Sequence, residues 1–207
     1  DEKIYVPNIS FKQKDKNTDE VYLGYSSPKT PSRVYSYNLS NKSKRLVKEQ
    51  EIPSGHNPDN YIVERIEFKS HDGRMVPLTI TRHKKTKIDG TANLLLYGYG
   101  SYGNSMSPGF SSTRLSLINR DIIWVTAHIR GGMEKGMKWW KEGKLTNKKN
   151  TFKDYIYAAK YLIEKKYSSE GKIIGMGGSA GGLLMGVVVN EAPELFLGII
   201  MAVPFVD

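Results

Sequence analysis

The sequence predicts an α/β fold, a mostly parallel sheet preceded by a short all-β stretch, and three observations support that class. Two continuous apolar runs, "NLLLYGYG" and "DIIWVTAHIRGG", end in glycines and read as strands buried on both faces. The segment "NTFKDYIYAAKYLIEKKY" sets Phe152, Ile156, Ala159 and Ile163 at helical spacing. The stretch "KIIGMGGSAGGLLMGVVVNEA" then passes from an apolar strand through a glycine corner into a helix.

The elements follow in chain order. From Asp1 to about Glu51 the text is polar and alternating, with "EVYLGYSS" and "RVYSYNLS" separated and followed by the turn residues "SPKTPS" and "SNKS". Two or three such strands cannot bury a face alone, so this unit must lean on a larger one. The loop "IPSGHNPDN" places a domain boundary there, giving units 1–52 and 53–207. Beyond it "YIVERIEFKS" and "MVPLTITRH" flank Asp72-Gly73, a hairpin signal. Thr151 and Asp154 read as a capping pair for the amphipathic helix. A second helix opens at Ser179, and "LGIIMAVPFV" reads as another buried strand. Strand, helix and strand in succession imply right-handed crossovers.

Composition narrows the function classes. With 39% hydrophobic residues in 207, the chain can build a real core, and no apolar run approaches the ~20 residues needed to span a bilayer. The formal charge of +10 is dispersed over "KQKDKN", "SNKSKRLVK", "RHKKTK" and "LTNKKN" and mixed with acids, which reads as solvated loops and not as a nucleic-acid stripe. Cysteine is absent, so neither disulfides nor thiolate chemistry is expected, in keeping with a reducing, cytoplasmic setting. The opening "DEKIYVPNIS" has no initiator Met and no secretory pattern, so a processed chain or a fragment is expected.

The glycine corner carries the chemistry. A serine hydroxyl needs exposure, a general base and donors for the oxyanion formed on attack. Gly177-Gly178-Ser179-Ala180-Gly181 fits the G-x-S-x-G pattern of a sharp strand-to-helix turn that lifts the hydroxyl out. The N–H of Ala180 would then point from the helix N-terminus at the developing charge. A second oxyanion donor is sought after an earlier strand, and in "LLLYGYGSYG" Tyr99 is preferred over Tyr97 and Tyr102, although a tyrosine at a strand end more often serves packing than catalysis. Rival readings exist. Gly175-Met176-Gly177-Gly178-Ser179-Ala180 also satisfies G-x-G-x-x-A, the fingerprint of a dinucleotide-binding oxidoreductase, but the acid expected about 20 residues on is missing and Asp207 comes too late. A phosphate loop would need Lys followed by Ser or Thr, where "LLMG" stands, and the glycines could serve close packing alone.

Together "YGYGSYG", "HIRGGMEKGMKWW", "GKLTNKKNTFKDY", "GGSAGG" and "VPFVD" resemble the prolyl oligopeptidase family of serine peptidases, most nearly its oligopeptidase B branch. The likeness runs from about Tyr61 onward, five motifs in order, while "GYSSPKTPSRVYSYNL" more weakly resembles the end of the family's β-propeller. The resemblance implies an incomplete α/β-hydrolase fold after a propeller remnant. It also implies Ser179 as nucleophile, Ala180 N–H and the Tyr99 hydroxyl as oxyanion donors, Tyr102 lining the substrate cleft, and no cofactor or metal. The substrate it implies is a short peptide cut after Arg or Lys. Ser107 and Gly109 stand where such enzymes commonly have acids.

The hydrolase order is Ser, Asp, His, yet His56, His71, His83 and His128 all precede Ser179. His128 alone lies at a strand end that could approach the serine, and it matches a structural loop position of the family. Asp207 matches "VPFVD", not the triad acid. The resemblance therefore implies a chain nearly inactive by itself, whose Asp and His come from a further segment or a second chain, and a sheet with an apolar, unpaired edge.

Overall fold

The computed structural model describes residues 2–11 and 18–205. The polar N-terminal stretch forms four antiparallel strands, β1 (Val6–Phe11), β2 (Glu20–Ser26), β3 (Arg33–Asn38) and β4 (Lys44–Glu49), in that spatial order. The sequence reading found β2 and β3 and missed the outer pair. β1 carries a proline, and β4 is exposed at every position, so neither shows the alternation of a half-buried strand.

Next come β5 (Tyr61–Lys69), β6 (Met75–His83), β7 (Leu94–Gly98), α1 (Ser112–Ile118), β8 (Ile123–Ala127), α2 (Met137–Lys141), α3 (Lys149–Glu164), β9 (Ile173–Gly178), α4 (Ala180–Glu191) and β10 (Phe196–Ala202). Their six strands form one sheet in the order β10-β9-β7-β8-β6-β5. Strands β7 to β10 run parallel, and the β5–β6 hairpin adds antiparallel to β8. The hairpin closes through Ser70–Arg74, with Gly73 at φ +85 as its Asp-Gly pair leads one to expect.

Side-chain alternation puts helices on both faces. Ile123, Val125 and Ala127 of β8 join the main core with Tyr155, Ala158, Ala159 and Leu162 of α3 and Leu184, Met185 and Val188 of α4. Trp124, between them, faces the other way and packs with Leu115 and Ile118 of α1 and Tyr61. The first sheet leans on this unit, as a sheet too small to stand alone must. Phe110 N–H donates to Ser26 Oγ at 2.9 Å, and His56 lies 2.6 Å from Lys29 O with its ring stacked on Tyr61.

Two expectations are corrected. Thr151 and Asp154 do not cap α3, which begins at Lys149. Both are fully buried and serve the loop after β8: Thr151 Oγ1 donates to Arg130 O (2.7 Å), and Asp154 accepts from Arg130 Nε (2.8 Å), Nη2 (2.6 Å) and main-chain N–H (3.1 Å), and from Ser70 Oγ (2.6 Å). That loop has buried polar groups and no strand partner, and these side chains satisfy them. Nor is β10 buried: it is the sheet edge, with Leu197 60% and Ile200 44% exposed, and only Phe196 and Ile199 are partly covered. An apolar unpaired edge was the other expectation for this end, and it is present. Among the described residues no helix is long and apolar enough to cross a membrane.

Arg130 is 1% exposed, so removing its buried partner leaves its charge held only by the partly exposed Asp72. Asp154→Ala is expected to destabilise the fold by about 3–5 kcal/mol in denaturant unfolding, far more than Glu49→Ala, which breaks the solvent-facing pair with Arg33.

Candidate active site

Ser179 follows the last residue of β9 with φ 55 and ψ −119, a backbone shape that glycine adopts freely and a residue with a Cβ resists. Three hydrogen bonds hold it there: Ser179 N–H donates to Ala202 O (2.8 Å), and Ser179 O accepts from the N–H groups of Gly182 (2.8 Å) and Phe205 (3.2 Å). The turn is possible because the flanking glycines let main chains touch. A Cβ on Gly177 would lie 2.2 Å from Gly181 O, and one on Gly181 would lie 2.8 Å from Gly98 O. The ends of β7 and β9 and the first turn of α4 thus share one contact. Ala180, first residue of α4, has an N–H for which the helix provides no acceptor, and no acidic residue in that turn offsets the helix dipole.

Tyr99 leaves β7 directly beside this contact. Its Cδ2 lies 3.3 Å from where a Cβ on Gly181 would stand, so its ring rests on the start of α4. Tyr97 faces away and stacks on Trp124 at 6.3 Å; burial, then the neighbouring Tyr99, raises its phenol pKa. Tyr102 occupies the same loop as Tyr99, at φ 57 and 68% exposed. Ser179, Ala180 and Tyr99 therefore converge where β7 and β9 end, and Tyr102 lies three residues further along the loop. The Ser107–Phe110 segment turns toward the first sheet, with Gly109 O accepting from Arg114.

The loop carrying Tyr99 is fixed by residues that the sequence reading passed over. A Cβ on Gly131 would lie 1.9 Å from Gly100 O, and Gly103 N–H donates to Gly131 O at 2.9 Å. The "HIRGG" loop is thus the floor of the "YGYGSYG" loop, and Arg130, Asp154 and Thr151 hold that floor. From the start of α3, Lys148 Nζ donates to Gly100 O (2.6 Å) and Ser101 Oγ (2.8 Å). Burial without a carboxylate partner lowers its pKa to about 8. Its only sequence signal was an unremarkable lysine in "LTNKKN".

His128 is committed elsewhere. Its Nε2 lies 2.8 Å from Thr79 Oγ1 and 2.6 Å from Arg65 Nη1, both donors, and Nδ1 lies 3.4 Å from Glu134 Oε1. Burial lowers its pKa, with the Glu134 hydrogen bond opposing. Neither ring nitrogen is left for Ser179. Asp207 lies outside the described residues.

A mostly parallel sheet with helices on both faces, and a strained serine between a strand end and a helix N-terminus, define an α/β-hydrolase type of protein. Residues 108–207 match the profile of the prolyl oligopeptidase family. The whole chain is 42% identical to dipeptidyl aminopeptidase BI of Pseudoxanthomonas mexicana and 41% identical to protease 2 of Moraxella lacunata, spanning 28% and 30% of those proteins. A structure of oligopeptidase B from Trypanosoma brucei with covalently bound antipain superposes with a TM-score of 0.92 at 34% identity, covering 100% of this chain and 29% of that one. The chain belongs to the prolyl oligopeptidase family, and its architecture is that of a truncated propeller followed by part of an α/β-hydrolase domain. It spans less than a third of the length of these relatives.

Two outcomes test the geometry. Ser179→Gly is expected to be more stable than Ser179→Ala by about 1–2 kcal/mol in thermal or denaturant unfolding, because glycine releases the backbone strain. His128, buried with a lowered pKa, takes up its proton later than the unfolded chain does. Stability should therefore fall as the pH drops below about 6.5, and His128→Gln should flatten that slope in unfolding curves taken across the range.

Proposed function

We propose that the protein containing this chain is a serine-type oligopeptidase that cuts short peptides through an acyl-enzyme on Ser179. The observation that carries this reading is the strained Ser179 beside the free Ala180 N–H and Tyr99. In the proposed reaction Ser179 Oγ attacks the scissile carbonyl carbon and gives its proton to a histidine. The oxyanion is held by Ala180 N–H and the Tyr99 hydroxyl. The C–N bond then breaks, the leaving amine takes that proton, and water releases the acyl group by the same route. Tyr102 would line the cleft where the peptide lies.

All four histidines precede Ser179, and the one nearest to a suitable strand end is engaged by Arg65, Thr79 and Glu134. The base and its acid partner are therefore assigned to a further segment or a second chain, in keeping with relatives more than three times as long. Without them the oxyanion donors alone would leave a residual acceleration on the order of 10³–10⁴ over water. In the same proposal residues 1–52 are the end of a propeller and 53–207 the first part of the peptidase domain. Cleavage after basic residues is suggested by the oligopeptidase B likeness; Ser107 and Gly109 would supply no carboxylate to hold such a residue, so other groups must. A cysteine-free chain suits the cytoplasm. A second reading, a partner-binding remnant without catalysis, draws on the exposed apolar side chains of β10.

The natural full-length product should hydrolyse a fluorogenic dipeptide amide ending in Arg, and Ser179→Ala should lower kcat by about 10⁴-fold or more with the fold intact. Hydrolysis that survives this change would remove Ser179 as the nucleophile. A folded parent with no turnover and no phosphonate labelling of Ser179 would favour the remnant.

A further inference from the structure

Lys148 is an unusual residue in its surroundings. It follows the short turn Leu145–Asn147 and precedes α3, and its ammonium crosses to the loop after β7, where it donates to Gly100 O at 2.6 Å and to Ser101 Oγ at 2.8 Å. Its stem runs over Phe152, with Nζ 5.8 Å from the ring centre. No carboxylate pairs with it among the described residues, and burial alone moves its pKa down to about 8. Half-burying an ammonium without a counter-charge carries a desolvation cost, which its two hydrogen bonds offset in part. Such a cost is kept where a geometry matters more than stability.

The two groups it grips are the residues directly after Tyr99. Gly100 at φ 67 is wedged against Thr151, Ile129 and Arg130, where a Cβ would come within 2.4 to 3.0 Å of each. That contact limits how far the loop can move inward, and Gly131 supports it from below. The Gly103 N–H to Gly131 O bond ties the loop down three residues beyond Gly100, whereas nothing in that floor, among the described residues, engages the side chain of Ser101. Lys148 does, and its two hydrogen bonds to consecutive residues act one residue from the tyrosine whose ring rests on α4.

We propose that Lys148 is a positioning residue for the oxyanion hole, clamping Gly100 and Ser101 so that the Tyr99 hydroxyl is held over Ser179 and Ala180. This rests on the peptidase reading above. Lys148 contacts neither substrate nor reacting atoms and acts through Tyr99, so its effect should vanish when the Tyr99 hydroxyl is absent. A role in stability alone would not depend on that hydroxyl.

A double-mutant cycle in the natural full-length product separates the two. Lys148→Met should lower kcat by about 10–100-fold with KM changed less than about threefold, since misplacement by about 1 Å is felt in the transition state. Tyr99→Phe should lower kcat by about 10²–10³-fold. Adding Lys148→Met to Tyr99→Phe should change kcat by less than about threefold, and Lys148→Arg, which keeps charge and donors, should recover part of the loss in the presence of Tyr99. Equal losses from Lys148→Met with and without the Tyr99 hydroxyl, or no loss at all, would overturn the proposal while leaving the peptidase reading intact. If Lys148→Met does not fold by circular dichroism, Lys148→Gln takes its place in the cycle under the same criteria. A Tyr99→Phe enzyme with full activity would remove the donor on which the proposal rests, and turnover surviving Ser179→Ala would remove the peptidase reading itself.

Discussion

Three main-chain segments meet where no side chain can stand: Gly98 at the end of β7, Gly177 at the end of β9 and Gly181 in the first turn of α4. Any Cβ at Gly177 or Gly181 would drive a carbonyl oxygen out of place, so the contact is possible only with hydrogen at these positions. Its consequences spread outward. Ser179 must turn through a strained conformation to enter α4, and the strain is kept by main-chain hydrogen bonds to Ala202, Gly182 and Phe205. Because β7 is part of the same contact, the residue that follows it, Tyr99, leaves the sheet beside the serine. The site is thus a by-product of how closely two parallel strands and one helix can approach.

A second layer keeps that contact from relaxing. Arg130 and Asp154 are both buried, joined by two side-chain hydrogen bonds and one from the main chain, with Ser70 and Asp72 completing the set. A buried pair of this kind adds little net stability over an apolar one, but it fixes a direction. Here the direction fixed is that of the loop after β8, whose Gly131 lies against Gly100 under the tyrosine loop. Lys148 closes the same loop from the side of α3.

Much of the fold was legible because burial leaves a trace in the sequence. Leu94–Leu96, Ile123 and Val125, and Ile173 lie on buried strands and are apolar without interruption or in clean alternation. The strands β1 and β4 escaped notice because their pairing is main-chain hydrogen bonding with little side-chain burial, which has no strong residue signature. Thr151 and Asp154 misled because a Thr and an Asp at that spacing before an apolar periodicity look the same whether they cap the helix or reach across to Arg130. The exposure of β10 was hidden by its composition: "LGIIMAV" is as apolar as a central strand. Among the candidate site residues, the strained turn at Ser179 and Ala180 was readable from glycines at fixed offsets, and the place of Tyr99 beside it from its position after an apolar run. Lys148 was not, since its partner is a carbonyl 48 residues away, and a contact of that kind leaves no pattern in one sequence.

The most direct test is a structure of the full-length product after reaction with a phosphonate that mimics the tetrahedral intermediate. The proposed mechanism requires the adduct on Ser179 Oγ, with one phosphoryl oxygen about 3 Å from both Ala180 N and the Tyr99 hydroxyl. An adduct whose oxygen faces solvent or other donors, with Tyr99 turned away, would contradict it.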